Sequence, residues 1–138
     1  MTISTRVFSS SDTPVWEQFV ATANNGTLFH ERKFLGYHPK GRFNDHSLII
    51  EKSGKVKALF PAVEIQSDGG RALVSHQGSS YGGIIVQQNL SFQESYDFVE
   101  VICEHAKEAG FNRIQMTLPP AIYQHTVSNY LDFSLIKH

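Results

Sequence analysis

The chain has 138 residues, which suits one domain and leaves no room for two ordinary ones. Hydrophobic residues make up 41% and charged residues 18%, so a packed core is expected and wholesale disorder is excluded. A net charge of −1 without any Lys/Arg run argues against nucleic acid or an anionic membrane as partner. No apolar stretch approaches the roughly 18 residues that cross a bilayer, and Met1-Thr2-Ile3-Ser4-Thr5-Arg6 lacks the basic-then-apolar order of a secretory signal. Cys103 is alone, so no intrachain disulfide forms, which fits a reducing compartment. A soluble, cytoplasmic domain covering residues 1–138 is the expectation.

In chain order, Thr5 to Ser9 reads as a short strand ended by Ser10-Ser11-Asp12. Thr13 caps a helix with Pro14 at its first position, where a missing N–H costs nothing. Trp16, Phe19, Val20 and Ala23 follow at helical spacing until Asn24-Asn25-Gly26. A second short helix is expected over Glu31 to Tyr37, before Pro39 and Gly41. The period then changes to that of strands. Ser47 to Glu51 and Val56 to Ile65 are rich in β-branched and aromatic residues, and Lys52-Ser53-Gly54-Lys55 is a hairpin turn between them. Pro61 calls for a bulge or an edge position within the second run. Asp68-Gly69-Gly70 turns into a strand over Arg71 to Ser75, and Tyr81 to Gln87 is a further extended piece.

Helical spacing returns at Ser91, where Ser91 and Glu94 form the S-x-x-E pattern of a capping box. Tyr96, Val99, Cys103 and Ala106 are expected on the buried face, with Glu100, Glu104 and Glu108 facing solvent. Gly110 ends the helix in a left-handed conformation. Phe111 to Leu118 then reads as a strand stopped by Pro119-Pro120, and Ile122 to Ile136 as a partly helical tail. The element order predicts an α/β (α+β) domain with a mixed, mainly antiparallel sheet flanked by helices.

Several local patterns are specific. They are Trp16-x-x-Phe19, Asn25-Gly26-Thr27-Leu28-Phe29-His30-x-Arg32-x-Phe34-Leu35-x-Tyr37-His38, Arg42-Phe43-x-Asp45-His46-Ser47-Leu48, Ala58-Leu59-Phe60-Pro61-Ala62, Ser75-His76-x-Gly78-x-x-Tyr81-Gly82-Gly83, and Pro119-Pro120 with Ile122-Tyr123. In this order they resemble the N-terminal lobe of a two-lobed, FemAB-like GNAT N-acyltransferase, over about residues 14–135. The resemblance implies a GNAT-like sheet that stops short of the last strands, and transfer of an acyl or aminoacyl group to the amine of a small molecule or peptide. It also implies a second GNAT lobe as partner, or a homodimer formed through the unpaired sheet edge. One departure concerns the donor. GNAT domains cradle the pyrophosphate of acyl-CoA on a Q/R-x-x-G-x-G/A loop that opens the long helix. Here that stretch is Val86-Gln87-Gln88-Asn89-Leu90-Ser91 and has no glycine. The alternative is therefore a non-catalytic ligand-binding or assembly module of the same fold.

The candidate substrate-binding residues fall in two groups. His76, Gln77 and Tyr81 offer polar groups to a cleft while Gly82 and Gly83 let a ligand approach closely; on the other reading, the glycines bend a strand that His76 and Tyr81 anchor. His30, Arg32, Tyr37 and Arg42 lie in the second-helix region, which flanks the acceptor cleft of GNAT folds. The two arginines suit bidentate contacts to a carboxylate or phosphate, or else are solvated surface charge. His46 is expected at a strand start with the Asp45 carboxylate orienting its imidazole. The eight-residue spacing of His30, His38 and His46 matches no zinc pattern, and no metal is expected.

Overall fold

A computed structural model describes residues 3–26, 30–35, 44–67, 69–76, 83–118, 124 and 130–137. Strand β1 (Ile3–Val7) leads through a 3-10 turn (Ser10–Asp12) into helix α1 (Thr13–Thr22). The carboxylate of Asp12 holds this corner: it accepts from the Ser9 N–H at 3.0 Å and from Arg6 at 2.7 Å, and Arg6 also reaches Glu51 at 2.7 Å. The hydrogen bond from Arg6, then that from the Ser9 backbone, lower the Asp12 carboxyl to about 2. Trp16, Phe19 and Val20 are buried on α1 as their spacing requires. Helix α2 is seen over Arg32–Leu35, and the rest of the expected second helix lies outside the described residues.

The hairpin β2 (Leu48–Lys52) and β3 (Lys55–Phe60) turns at Ser53-Gly54, both with positive φ, as a two-residue loop with the right-handed strand twist demands. Pro61 then separates β3 from β4 (Ala62–Ser67), so the single predicted run changes sheets at its proline. Strands β5 (Gly70–Ser75) and β6 (Ile85–Val86) run back along this line. Ser75 pairs with Ala62 and Ile85 with Leu59, so Phe60 and Pro61 stand between the two pairings on the facing line. Of the expected extended piece over Tyr81 to Gln87, the described residues form strand at Ile85 and Val86, and Tyr81 and Gly82 lie outside the described residues.

Helix α3 (Phe92–Glu108) begins at the expected capping box and ends at Gly110, with φ +86. Its buried stripe is Ser95, Phe98, Val99, Ile102 and Ala106, rotated from the expected one, while Cys103 is only half-buried. The larger Phe98 and Ile102 take the line facing the sheet, and Cys103 falls on a flank. Strand β7 is confined to Arg113–Gln115 and pairs parallel to β5, departing from the antiparallel meander. It is shorter than the expected Phe111 to Leu118 because Phe111 still bonds back to Ala106 of α3. Helix α4 (Tyr130–Lys137) packs on α3.

The strands form one sheet ordered β1-β2-β3-β6 and another ordered β4-β5-β7. Side chains alternate between two cores. Leu48, Ile50, Ala58, Phe60 and Leu73 meet Phe98, Val99 and Ile102 of α3. On the other face Ile49, Leu59 and Ile85 meet Trp16, Phe19 and Val20 of α1. Among the described residues no helix is long and apolar enough to cross a membrane.

Gly70 couples β5 to β7. Its φ is +115, and a Cβ there would collide with the Asn112 side chain, whose Oδ1 accepts from the Arg71 N–H at 2.9 Å. Gly70→Ala should therefore cost about 1–3 kcal/mol in urea unfolding. Gly69→Ala, which meets open space, should stay within about 0.5 kcal/mol.

Candidate functional site

Residues 44–47 prolong β2 alongside β4. Asp45 bridges Val63, the His46 N–H donates to the Ala62 carbonyl, and the Glu64 N–H donates to the Asn44 carbonyl. In an extended chain successive side chains point to opposite faces. Asp45 and Ser47 therefore face α1 and α2, while His46 faces α3. This corrects the expectation that Asp45 orients His46: neighbours on a strand cannot share a face, and Glu64 takes that role instead.

On the α1/α2 face Asp45 is a hub. One carboxylate oxygen accepts from Arg32 Nη2 at 2.6 Å and lies 3.3 Å from His76 Nε2, and the other accepts from the Ser47 N–H at 3.0 Å. Burial opposes the charge, but the hydrogen bond to His76 and the positive charge of Arg32 outweigh it. They hold the Asp45 carboxyl well below the usual carboxylate range. Arg32 is not a solvated surface charge. Its guanidinium lies 4.0 Å above the Phe8 ring and 5.0 Å from the Trp16 ring, and its Nη1 donates to Ser47 Oγ at 3.0 Å. Trp16 Nε1 donates to the carbonyl of His30, and Glu17 accepts from the Arg32 N–H at 2.6 Å, so α1 fixes the start of α2. His30 and His76 are buried, whereas the Asp45 side chain keeps 30% of its exposure. That exposed carboxylate is what the hub presents outward.

The structure thus gathers Arg32 and His76 around an Asp45 that was expected to serve His46, while His30 is buried with its carbonyl bonded to Trp16. Gly83, with φ +82, lies two residues before β6. Tyr37, Arg42, Gln77, Tyr81 and Gly82 lie outside the described residues. Ser47 and Phe8 join the site without having been singled out, and only the alternation of the strand could have signalled Ser47.

His46 belongs to a second cluster on the α3 face. Its Nδ1 is 2.8 Å from Glu64 and its Nε2 is 2.9 Å from Nε2 of His105. Glu64 also receives Arg71 at 3.1 Å and Asn44 at 2.9 Å, and the edge of His46 meets Phe111. One Nε2 must carry the shared hydrogen and the other a lone pair, so the two rings cannot both be imidazolium. Among the described residues no group of three His, Cys, Asp or Glu side chains suits a metal ion.

The start of α3 is occupied by its own side chains. Ser91 Oγ accepts from the Glu94 N–H at 3.1 Å, and Glu94 accepts from the Ser91 N–H at 3.3 Å. The capping box therefore takes up the Ser91 and Glu94 N–H groups and sets a carboxylate at this helix end. The outer edge of β6 is also filled. Asn25 donates to the Ile84 carbonyl at 2.8 Å and accepts from the Val86 N–H at 2.9 Å, and the Asn24 N–H donates to the Val86 carbonyl. The cavity between this edge, Leu118 and α4 measures only about 40 Å³.

Solved structures with a similar arrangement of elements include acetyltransferases. A GNAT family acetyltransferase of Staphylococcus aureus is 16% identical with a TM-score of 0.55, each chain being covered over 94%. An aminoglycoside acetyltransferase from an uncultured soil sample is 11% identical with a TM-score of 0.56, covering 100% of this chain and 89% of that one. The fold is a GNAT fold. A Thermus thermophilus protein is similar too, at 15% identity and a TM-score of 0.55, over 99% of this chain and 86% of its own. No family model matches the sequence, and no curated protein is significantly similar to it.

Burial, then the neighbouring His46, depress the pKa of His105, with Glu108 opposing. The unfolded chain therefore binds a proton there at a higher pH than the folded one. Stability should be fullest above about 6.5, the ordinary histidine value, and fall as the pH drops from there. Urea midpoints at about pH 7.5 and 5.5 should show this loss, and His105→Gln should flatten it; an unchanged slope in the variant contradicts the assignment.

Proposed function

We propose that the chain is the acceptor-side domain of an acyltransferase, holding a primary amine of a small molecule or peptide while an acyl or aminoacyl group is transferred to it. The observation that carries this reading is the Asp45 hub, a carboxylate kept ionised by Arg32 and His76 and still partly exposed on the α1/α2 face of a GNAT fold. A carboxylate in that state attracts an ammonium group. In the transfer, the amine nitrogen bonds to the carbonyl carbon of a thioester or ester, the amine proton passes to a base, and the thiol or alcohol leaves with a proton. His76 is the imidazole of the hub, and the base role falls to it. Arg32 acts through Asp45 as a positioning residue, stacked on Phe8 and Trp16. The occupied start of α3 and the filled edge of β6 leave the donor to a second lobe or partner, as in the two-lobed FemAB-like arrangement.

The test is ligand-induced thermal stabilisation. A diamine or a lysine-containing peptide should raise the melting temperature, whereas its N-acetylated form should not. Asp45→Asn should weaken the response at least tenfold, since a hydrogen bond to a charged group contributes about 1.5–3 kcal/mol. Acetyl-CoA at millimolar concentration should give no shift. An amine response that survives Asp45→Asn counts against the site, and a CoA response against the division of labour.

A further inference from the structure

The rings of His46 and His105 meet head-on. Their centroids are 5.2 Å apart and their Nε2 atoms 2.9 Å apart, so both nitrogens lie close to the line joining the rings. That alignment suits a shared hydrogen. A tetrahedral metal bonded to both at about 2.0–2.1 Å would need nitrogens roughly 3.3 Å apart, with lone pairs converging on a point beside that line. The contact is therefore a hydrogen bond between the strand line of residues 44–47 and the last turn of α3. Its charge state decides whether it exists. Among the described residues, charge reaches the pair from Glu64 of β4, Arg71 of β5 and Glu108 of α3. Glu64 accepts from His46 Nδ1 at 2.8 Å, Arg71 lies 3.1 Å from the same carboxylate, and Glu108 acts on His105 from the end of its own helix. Arg71 also donates to the Ala109 carbonyl at 2.7 Å, so the cluster grips the end of α3 at two points.

We propose that this pair is a proton-operated latch between α3 and the strand line that carries Asp45, closed with no more than one added proton and opened by the second. This goes beyond the acceptor-site reading and does not rest on it. With Glu64 at Nδ1, His46 keeps a hydrogen there, and in the neutral pair His105 donates from Nε2 to His46. One added proton only reverses the bond: His46 donates from Nε2, and His105 accepts and carries its hydrogen on Nδ1. A second leaves two N–H groups and two like charges face to face, and the bond is lost. Burial, then the charge of His46, hold His105 below the ordinary histidine value, with Glu108 opposing. The latch is therefore closed at neutral pH and opens as the pH falls below about 6.5. Three hydrogen bonds report its state. The Ala109 N–H donates to the His105 carbonyl at 2.9 Å, the His46 N–H to the Ala62 carbonyl at 2.8 Å, and the Ser47 N–H to the Asp45 carboxylate at 3.0 Å. Because His46 lies between Asp45 and Ser47 in an extended chain, a movement of its backbone on the α3 face turns both neighbours on the other.

NMR of the full chain with isotope-labelled histidines tests the latch. Near neutral pH a nitrogen–nitrogen coupling across the hydrogen bond should join Nε2 of His46 to Nε2 of His105, and acidification should abolish it. Over the same pH range hydrogen-exchange protection at Ala109, His46 and Ser47 should fall together, at least severalfold. Glu108 is exposed, so Glu108→Gln leaves the core untouched and removes a charge that favours protonation of His105. The opening should then move to lower pH. In His105→Gln the three amides should lose their common pH-dependent step. Two imidazoles that titrate independently, with no coupling between them, overturn the proposal. So does an opening that stops at Ala109 and leaves Ser47 unchanged, or a Glu108→Gln variant that opens at the wild-type pH.

Discussion

The carboxylate of Asp45 is the point on which the α1/α2 face depends. Its oxygens take hydrogen bonds from Arg32 and the Ser47 backbone and face the His76 ring, three groups drawn from α2, the β2 line and the end of β5. A partly buried charge survives only when its lone pairs are satisfied. Here the satisfaction is shared between segments far apart in sequence, so the same contacts that stabilise the ion also fix the geometry of the face. The aromatic seat beneath Arg32, made by Phe8 and Trp16, ties that geometry to β1 and α1.

Strand β5 ends at Ser75, directly before His76 of the hub. Strand β6 is short, and Asn24 and Asn25 close its outer edge. The start of α3 closes in its own way, through Ser91 and Glu94. Two unrelated local devices thus satisfy backbone groups at the edge of β6 and at the start of α3.

Much of the fold was legible from the chain. The turn at Ser53-Gly54, the capping box of Ser91 with Glu94 and the left-handed Gly110 are local effects of single residues, and local effects survive folding. At Pro61 a bulge or edge position was expected, and the chain instead changes sheets. The fold class followed from the order of those elements. What could not be read was which distant side chains meet. Arg32 reads as surface charge until Phe8, Trp16 and Asp45 are brought around it. His46 reads as the partner of its neighbour Asp45 until the extended backbone sends the two to opposite faces. The buried stripe of α3 centres on Phe98 and Ile102 because the sheet selects the larger apolar residues, a preference that spacing alone does not rank.

The most direct measurement is an amide and histidine-ring NMR titration of the full chain with a diamine and, separately, with coenzyme A. The account predicts that the amine perturbs the amides of Asp45, Ser47 and His76 and the ring nitrogens of His76, and that coenzyme A leaves Leu90 to Glu94 unmoved. Saturable shifts from coenzyme A at Leu90 to Glu94, or amine shifts that bypass Asp45 and His76, would contradict it.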